Sequence, residues 1–167
     1  MKVLKDILFK VDVEAIKGST HIAVESICFD SRLVGKDTLF VAQKGLNFDG
    51  HAFIKKAVED GAKAIVCEVM PATLSEGITY VQVVNSSIAL AVLASNFYDN
   101  PSEKLKLVGV TGTNGKTTIA TQLYTLFTNA GYTCGLLSTI RIMIGDKVLP
   151  TTHTTPDSIM INRCLHE

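Results

Sequence analysis

The sequence predicts an α/β protein: a compact first unit, residues 1–100, followed by the opening portion of a second, residues 101–167. Three observations carry this expectation. Strand-like apolar runs alternate with segments whose apolar residues recur at helical spacing. The turn formers Asp99-Asn100-Pro101-Ser102 divide the chain, and proline disfavours helix at the residue before it. Beyond that division a glycine-rich stretch joins a strand-like run to a helix-like one, the setting of a loop that cradles phosphate.

In the first unit, Asp37-Thr38-Leu39-Phe40-Val41-Ala42 reads as a strand, followed by a polar glycine loop over residues 44–50. A helix is expected over 51–60, with Phe53, Ile54, Ala57 and Val58 on one face and Gly61 as its C-cap. Ala64-Ile65-Val66-Cys67 returns as a strand, and residues 79–84 form another. A further helix begins near Asn85 or Ser86, its apolar face running through Ile88, Leu90, Ala91, Leu93, Ala94 and Phe97.

The second unit opens with a strand over 105–110, then the glycine-rich loop, then a helix over 119–130. A strand over 134–140 follows. Gly145-Asp146 is placed to turn a hairpin between 141–144 and 147–149, and a last helix starts at Ser158. This stretch is too short for the layered sheet of a phosphate-loop domain. The expectation is therefore a truncated Rossmann-like domain in a piece of a longer protein.

Composition narrows the function. Hydrophobic residues make up 47% of the 167, enough for a buried core. Sixteen basic and sixteen acidic side chains cancel, so no charge excess advertises nucleic acid. Charged residues interrupt the N-terminus and no apolar run reaches the ~20 residues of a membrane span. Cys28, Cys67, Cys134 and Cys164 lie far apart without metal-ligand spacing. A cytoplasmic protein without membrane or nucleic-acid partners is expected, and a monomer is favoured over an oligomer.

The loop Gly109-Val110-Thr111-Gly112-Thr113-Asn114-Gly115-Lys116-Thr117-Thr118 carries the chemistry. Glycines let successive backbone N–H groups converge on one anion, and the helix N-terminus adds partial positive charge. Gly112, Thr113, Asn114, Gly115, Lys116, Thr117 and Thr118 are the expected nucleotide contacts. Lys116 reaches the terminal phosphates, and the Thr117 hydroxyl is placed to ligate Mg²⁺. In the common spacing a glycine stands five residues before Gly115, but Val110 occupies that position.

That variant spacing resembles the loop of the Mur ligases and folylpolyglutamate synthetases more than that of kinases. Other segments narrow the resemblance to the Mur ligases of MurE type: Phe29-Asp30-Ser31-Arg32, the run from Asp37 to Ala42, Asp49-Gly50-His51 with Gly61-Ala62, Leu137-Ser138-Thr139-Ile140, and Thr154-Thr155-Pro156-Asp157. The resemblance implies that the first domain holds a uridine nucleotide and the second binds ATP. It implies UDP-substrate contacts from Phe29 and Ser31 and from the loop Leu46-Asn47-Phe48. Thr154 and Thr155 would hold the sugar-dipeptide portion beside His153, which stands where many relatives carry asparagine. Read alone, Asp30-Ser31-Arg32 is also a plain surface turn with a local ion pair. Either Thr155 or Asp157 would serve as N-cap of the last helix.

The implied reaction is ATP-dependent ligation of an amino acid, meso-diaminopimelate or L-lysine, to UDP-N-acetylmuramoyl-L-alanyl-D-glutamate through an acyl phosphate, with Lys116 as the catalytic residue. By resemblance an acidic Mg²⁺ ligand, a modified lysine and a third domain lie beyond Glu167, so this chain alone is expected to be inactive. Two rivals remain: another phosphate-loop ATP-dependent enzyme such as a small kinase, and a non-catalytic module that captures a UDP-linked sugar. No apolar run ending in Asp or Glu follows Lys116, which counts against the kinase.

Overall fold

The computed structural model describes residues 1–45, 49–145, 147–149 and 156–167. The chain divides into two compact units, Met1–Asp99 and Asn100–Glu167. The division lies inside the cluster of turn formers. Asp99 and Asn100 both take left-handed backbone conformations (φ 64° and 49°), which neither a helix nor a strand can continue through.

The first unit is built on a five-stranded sheet. Its strands are β2 (Val13–Lys17), β4 (Ser26–Cys28), β5 (Thr38–Val41), β6 (Ala62–Cys67) and β7 (Thr79–Val83), in the order β2-β7-β6-β5-β4. From β4 to β7 the pairing is parallel, and β2 adds antiparallel to β7. A separate antiparallel pair joins β1 (Lys2–Val3) to β3 (Ala23–Val24), with α1 (Leu4–Ile7) between them in sequence.

Parallel strands covered on both faces should read as unbroken apolar runs. Thr38, Leu39, Phe40 and Val41 are all buried, as are Ala64 to Cys67. One face collects Cys28, Phe40, Ala42, Ile65, Cys67 and Tyr80 around Ile54 and Ala57 of α2 (Ile54–Glu59). Residues of the opposite parity, Leu39, Val41, Ala64, Val66, Val81 and Val83, are equally buried. Helix α3 (Ser86–Phe97) packs against α1, and Asn96 ties them by donating to the carbonyls of Ile7 and Phe9.

Two helices differ from expectation, one in its start and one in its buried face. The helix expected over 51–60 begins as a 3-10 turn, Gly50–Phe53, because the Asp49 side chain caps it there. In α3 the buried side is Ser86, Ala89, Leu90, Leu93 and Ala94. Ile88 is 66% exposed and Ala91 also faces outward. The cap at Asn85, which accepts from the N–H groups of Ser87 and Ile88, sets the helix phase.

In the second unit a 3-10 turn, Pro101–Lys104, precedes α4 (Lys116–Asn129), three antiparallel strands and α5 (Ser158–His166). The strands β8 (Gly135–Leu137), β9 (Ile142–Ile144) and β10 (Lys147–Leu149) form a meander in the order β10-β9-β8. The 134–140 strand thus shortens to three residues, since Ser138 turns the chain by bonding Arg141 through both backbone and side chain.

The segment 105–110, expected as a strand, is not one. Leu105, Leu107 and Val108 are exposed, and among the described residues no strand pairs with them. A strand exists only through its ladder partners, whatever its apolar content. No described helix is long and apolar enough to cross a membrane.

Candidate functional site

The glycine-rich loop of the second unit forms a turn whose glycines have a conformational reason. Gly112 lies at φ 145° and Gly115 at φ 80°, a region L side chains rarely adopt. Gly115 is the N-cap of α4 and carries no side chain to close it. The other long helices are closed: Asn85 caps α3, and Asp157 caps α5 by accepting from the Met160 N–H at 2.8 Å. Thr155 lies outside the described residues. Among the described residues, the N-cap of α4 therefore offers no side chain to its first N–H groups.

Lys116 curls over this loop. Its Nζ donates to the carbonyls of Gly112 at 2.5 Å and Thr113 at 3.0 Å, which holds the ammonium above the turn. Thr113, Asn114, Lys116 and Thr118 are exposed and Thr117 is half-buried in the first turn. An open turn, an uncapped helix start, one ammonium and one hydroxyl fit a bound triphosphate with its divalent cation. Among the described residues, no group of three or more His, Cys, Asp or Glu gathers as a metal cage. The Thr117 hydroxyl could serve as one ligand of a cation held beside a nucleotide's own oxygens.

In the first unit, the carboxyl ends of β4 to β7 bring a second set of residues to one edge. Such ends are where open α/β sheets present ligand-binding loops. After β4 the Asp30 carboxylate accepts from Arg32 Nε at 2.9 Å, from Arg32 Nη2 at 2.6 Å and from the Arg32 backbone N–H at 3.0 Å. That is the local ion pair of a surface turn. Ser31 opens the 3-10 turn Ser31–Leu33, and its hydroxyl has no hydrogen-bond partner among the described residues. Phe29 beside it is half-buried.

After β5, Gly50 donates its N–H to the Gln43 carbonyl at 2.8 Å. A Cβ at Gly50 would stand 2.6 Å from that same oxygen, so only glycine fits. Asp49 accepts from the His51 N–H and from Nδ1, and His51 Nε2 accepts from the Glu68 N–H after β6. The Glu68 carboxylate in turn accepts from the N–H and hydroxyl of Ser86, after β7. These Ser86 bonds, backbone first, draw the Glu68 carboxyl below its ordinary range. Gln43 donates to the Ser87 hydroxyl at 3.2 Å.

Sequence reasoning missed Gln43, Glu68 and Ser86. The end of each predicted parallel strand was the available signal. The structure brings Phe29, Ser31, Asp49, His51, Glu68 and Ser86 to the same edge. Leu46, Asn47, Phe48, His153, Thr154 and Thr155 lie outside the described residues. Buried Cys28 and Cys67 have thiols pushed up to about 12 and about 11 by desolvation, which leaves them protonated and unreactive.

The Arg32 side-chain hydrogen bonds, then its backbone N–H, hold Asp30 at about 2 against an ordinary 3.8. A depressed carboxyl contributes stability above pH 3.8, and that contribution is lost as pH falls through about 2. Because Arg32 is 83% exposed, solvent screens the pair and its contribution is small. Arg32→Ala is expected to return the Asp30 pKa toward 3.8 in a carboxyl-carbon NMR titration. An unmoved value would remove Arg32 as the cause.

Comparison with known proteins adds independent evidence. Residues 23–98 match the model of the Mur ligase family, catalytic domain, and residues 110–167 match the Mur ligase middle domain. A UDP-N-acetylmuramoyl-L-alanyl-D-glutamate–2,6-diaminopimelate ligase from Cytophaga hutchinsonii is 52% identical over 97% of this chain and 34% of its own length. The chain thus spans about a third of the curated relatives it matches. A solved structure of a ligase of the same name superposes with a TM-score of 0.74 at 22% identity, over 99% of this chain and 33% of that one. The MurF ligase of Thermotoga maritima in complex with ADP superposes with a TM-score of 0.50 at 35% identity, over 64% of this chain and 24% of that one.

Proposed function

We propose a function from one premise: the chain belongs to the Mur ligase family. The protein that carries it is an ATP-dependent ligase of peptidoglycan precursor synthesis. It joins an amino acid to UDP-N-acetylmuramoyl-L-alanyl-D-glutamate, and the names of the relatives favour 2,6-diaminopimelate over L-lysine. Residues 1–100 form the UDP-substrate domain, and 101–167 belong to the central ATP-binding domain of Rossmann type. The partner strands that 105–110 would pair with then lie in the two thirds of the relatives' length that this chain does not span. A monomer in the cytoplasm, where ATP is available, goes with this reading.

One observation carries it: an uncapped α4 whose first residue, Lys116, is held over a loop turned by left-handed Gly112 and Gly115. The complex of the Thermotoga ligase with ADP supports an adenine nucleotide as the ligand. ATP supplies the γ-phosphoryl group, which passes to the D-glutamate side-chain carboxylate and gives an acyl phosphate and ADP. The amine of the incoming amino acid then attacks the acyl carbon and inorganic phosphate leaves, forming the amide. Lys116 spreads the charge that builds on the transferred group, and Thr117 would hold Mg²⁺. Gly112 to Gly115 supply backbone donors, and Thr118 lies in the first turn of α4. Phe29, Ser31, Leu46, Asn47 and Phe48 contact the UDP portion, and His153, Thr154 and Thr155 the sugar-dipeptide.

For the chain by itself, binding without ligation is the second reading. The first unit has a sheet covered on both faces, whereas the apolar 105–110 segment of the second is exposed. Calorimetric titration with UDP-N-acetylmuramoyl-L-alanyl-D-glutamate, against UDP-glucose as control, tests the substrate class. Selective binding of the muramoyl ligand is expected. Failure of both this chain and the full-length protein to bind it would sink the assignment, and amide formation by this chain alone would overturn its inactivity.

A further inference from the structure

His51 ties two loops together at the carboxyl edge of the first unit's sheet, and Glu68 extends the link to a third. His51 sits in the 3-10 turn after β5, and its side chain is only 16% exposed. Nε2 accepts from the Glu68 N–H at 2.9 Å and from the Val69 N–H at 3.3 Å. An accepting Nε2 fixes the tautomer: Nδ1 carries the proton and donates to Asp49 Oδ1, 2.6 Å away. The chain of bonds continues from Glu68 to Ser86 at 2.9 and 2.7 Å, at the start of α3. The Gln82 amide also donates to the Glu68 carbonyl, at 3.2 Å.

Both ring nitrogens are spent on polar groups of the chain. Meanwhile Gly50 presses the turn against the Gln43 backbone closely enough to exclude a Cβ. The turn therefore has little slack. Its position is set at one end by Gly50 on Gln43 and at the other by His51 on Glu68.

We propose that His51 is a positioning residue for the UDP-linked substrate, its Nε2 bond to the Glu68 amide locking the loop after β5 onto the loop after β6. This rests on the substrate reading given above. The lock holds the Lys44–Asp49 bridge at the same carboxyl edge of the sheet as Phe29 and Ser31, which follow β4. It also fixes Glu68 so that its carboxylate meets Ser86. His51 touches no reacting atom, so it should govern affinity for the UDP ligand and leave nucleotide binding at the phosphate loop unchanged.

Three substitutions test it. His51→Gln carries an amide oxygen at about the reach of Nε2 and keeps an acceptor for Glu68, whereas His51→Asn keeps only a donor for Asp49. His51→Ala keeps neither. Affinity for UDP-N-acetylmuramoyl-L-alanyl-D-glutamate is expected to fall about tenfold in the alanine and asparagine variants, the loss of one hydrogen bond, and to recover in the glutamine variant. Amide exchange at Glu68 should quicken in the same two variants and slow again with glutamine. Unchanged affinity in His51→Asn, or equal losses in the glutamine and asparagine variants, overturns the proposal. If the unaltered protein does not bind the ligand, the substrate reading falls, and Glu68 exchange decides the lock by itself. Slow exchange in His51→Asn would then refute it.

Discussion

Lys116→Ala is expected to lower the kcat of ATP-dependent ligation by at least about 10²-fold in the full-length protein that carries this chain. The reason is local. Lys116 is the one cationic side chain between Gly109 and Thr118, so nothing in the loop can replace its charge. Its ammonium already rests on the carbonyls of Gly112 and Thr113, within the turn where phosphate oxygens would converge. On binding, it exchanges two neutral acceptors for charged ones, a stronger contact in the same place. Lys116→Arg keeps the charge but replaces a compact ammonium with a planar fork, and little rescue is expected. The measurement is ADP release at saturating muramoyl substrate, with the UDP-ligand titration as control. That titration should be unaffected, because Asp49, His51 and Glu68 belong to the other compact unit. Ligation at the unaltered rate would mean that the phosphate site lies elsewhere.

The same residues show what a sequence can tell about such a site and what it cannot. The loop from Gly109 to Thr118 is contiguous, so its chemistry is written in order. The parallel strands β5, β6 and β7 are legible because burial on both faces leaves unbroken apolar runs. The N-terminal elements are not. β1 has two residues and β3 two, too few for any period, and β2 mixes Glu14 and Lys17 with Val13, Ala15 and Ile16 without regular alternation, at a sheet edge. Its place beside β7 is decided by pairing across the length of the unit. The 105–110 segment errs the other way, with strand composition but no ladder partner among the described residues. The His51–Glu68 bond joins a side chain to a backbone amide 17 residues on. No local pattern encodes that contact, and it becomes visible only once β5 and β6 are known to be neighbours.

Phe40→Ala is expected to destabilise the first unit by about 3–5 kcal/mol, a loss large enough to unfold many domains of this size. Phe40 is wholly buried in β5, opposite Cys28 of β4 and Ile65 of β6. Its cluster includes Ala42, Ala57 and Ala62, whose short side chains leave the space that the ring fills. Those methyls cannot reach inward to close a cavity, so little relaxation will soften the loss. Urea unfolding followed by circular dichroism should show a lower midpoint with an unchanged slope. A loss below about 1 kcal/mol would mean that Ile54 and Tyr80 repack into the gap. The consequence reaches the site. β5 leads into Gln43, the Gly50 turn rests on the Gln43 backbone, and Gly50 has no room to shift against it. A β5 that moves into the cavity must drag the turn with it and stretch the His51 bond to Glu68. In conditions where Phe40→Ala remains folded, it should therefore weaken the UDP ligand and quicken exchange at the Glu68 amide together, because strand packing and the lock act on the same backbone.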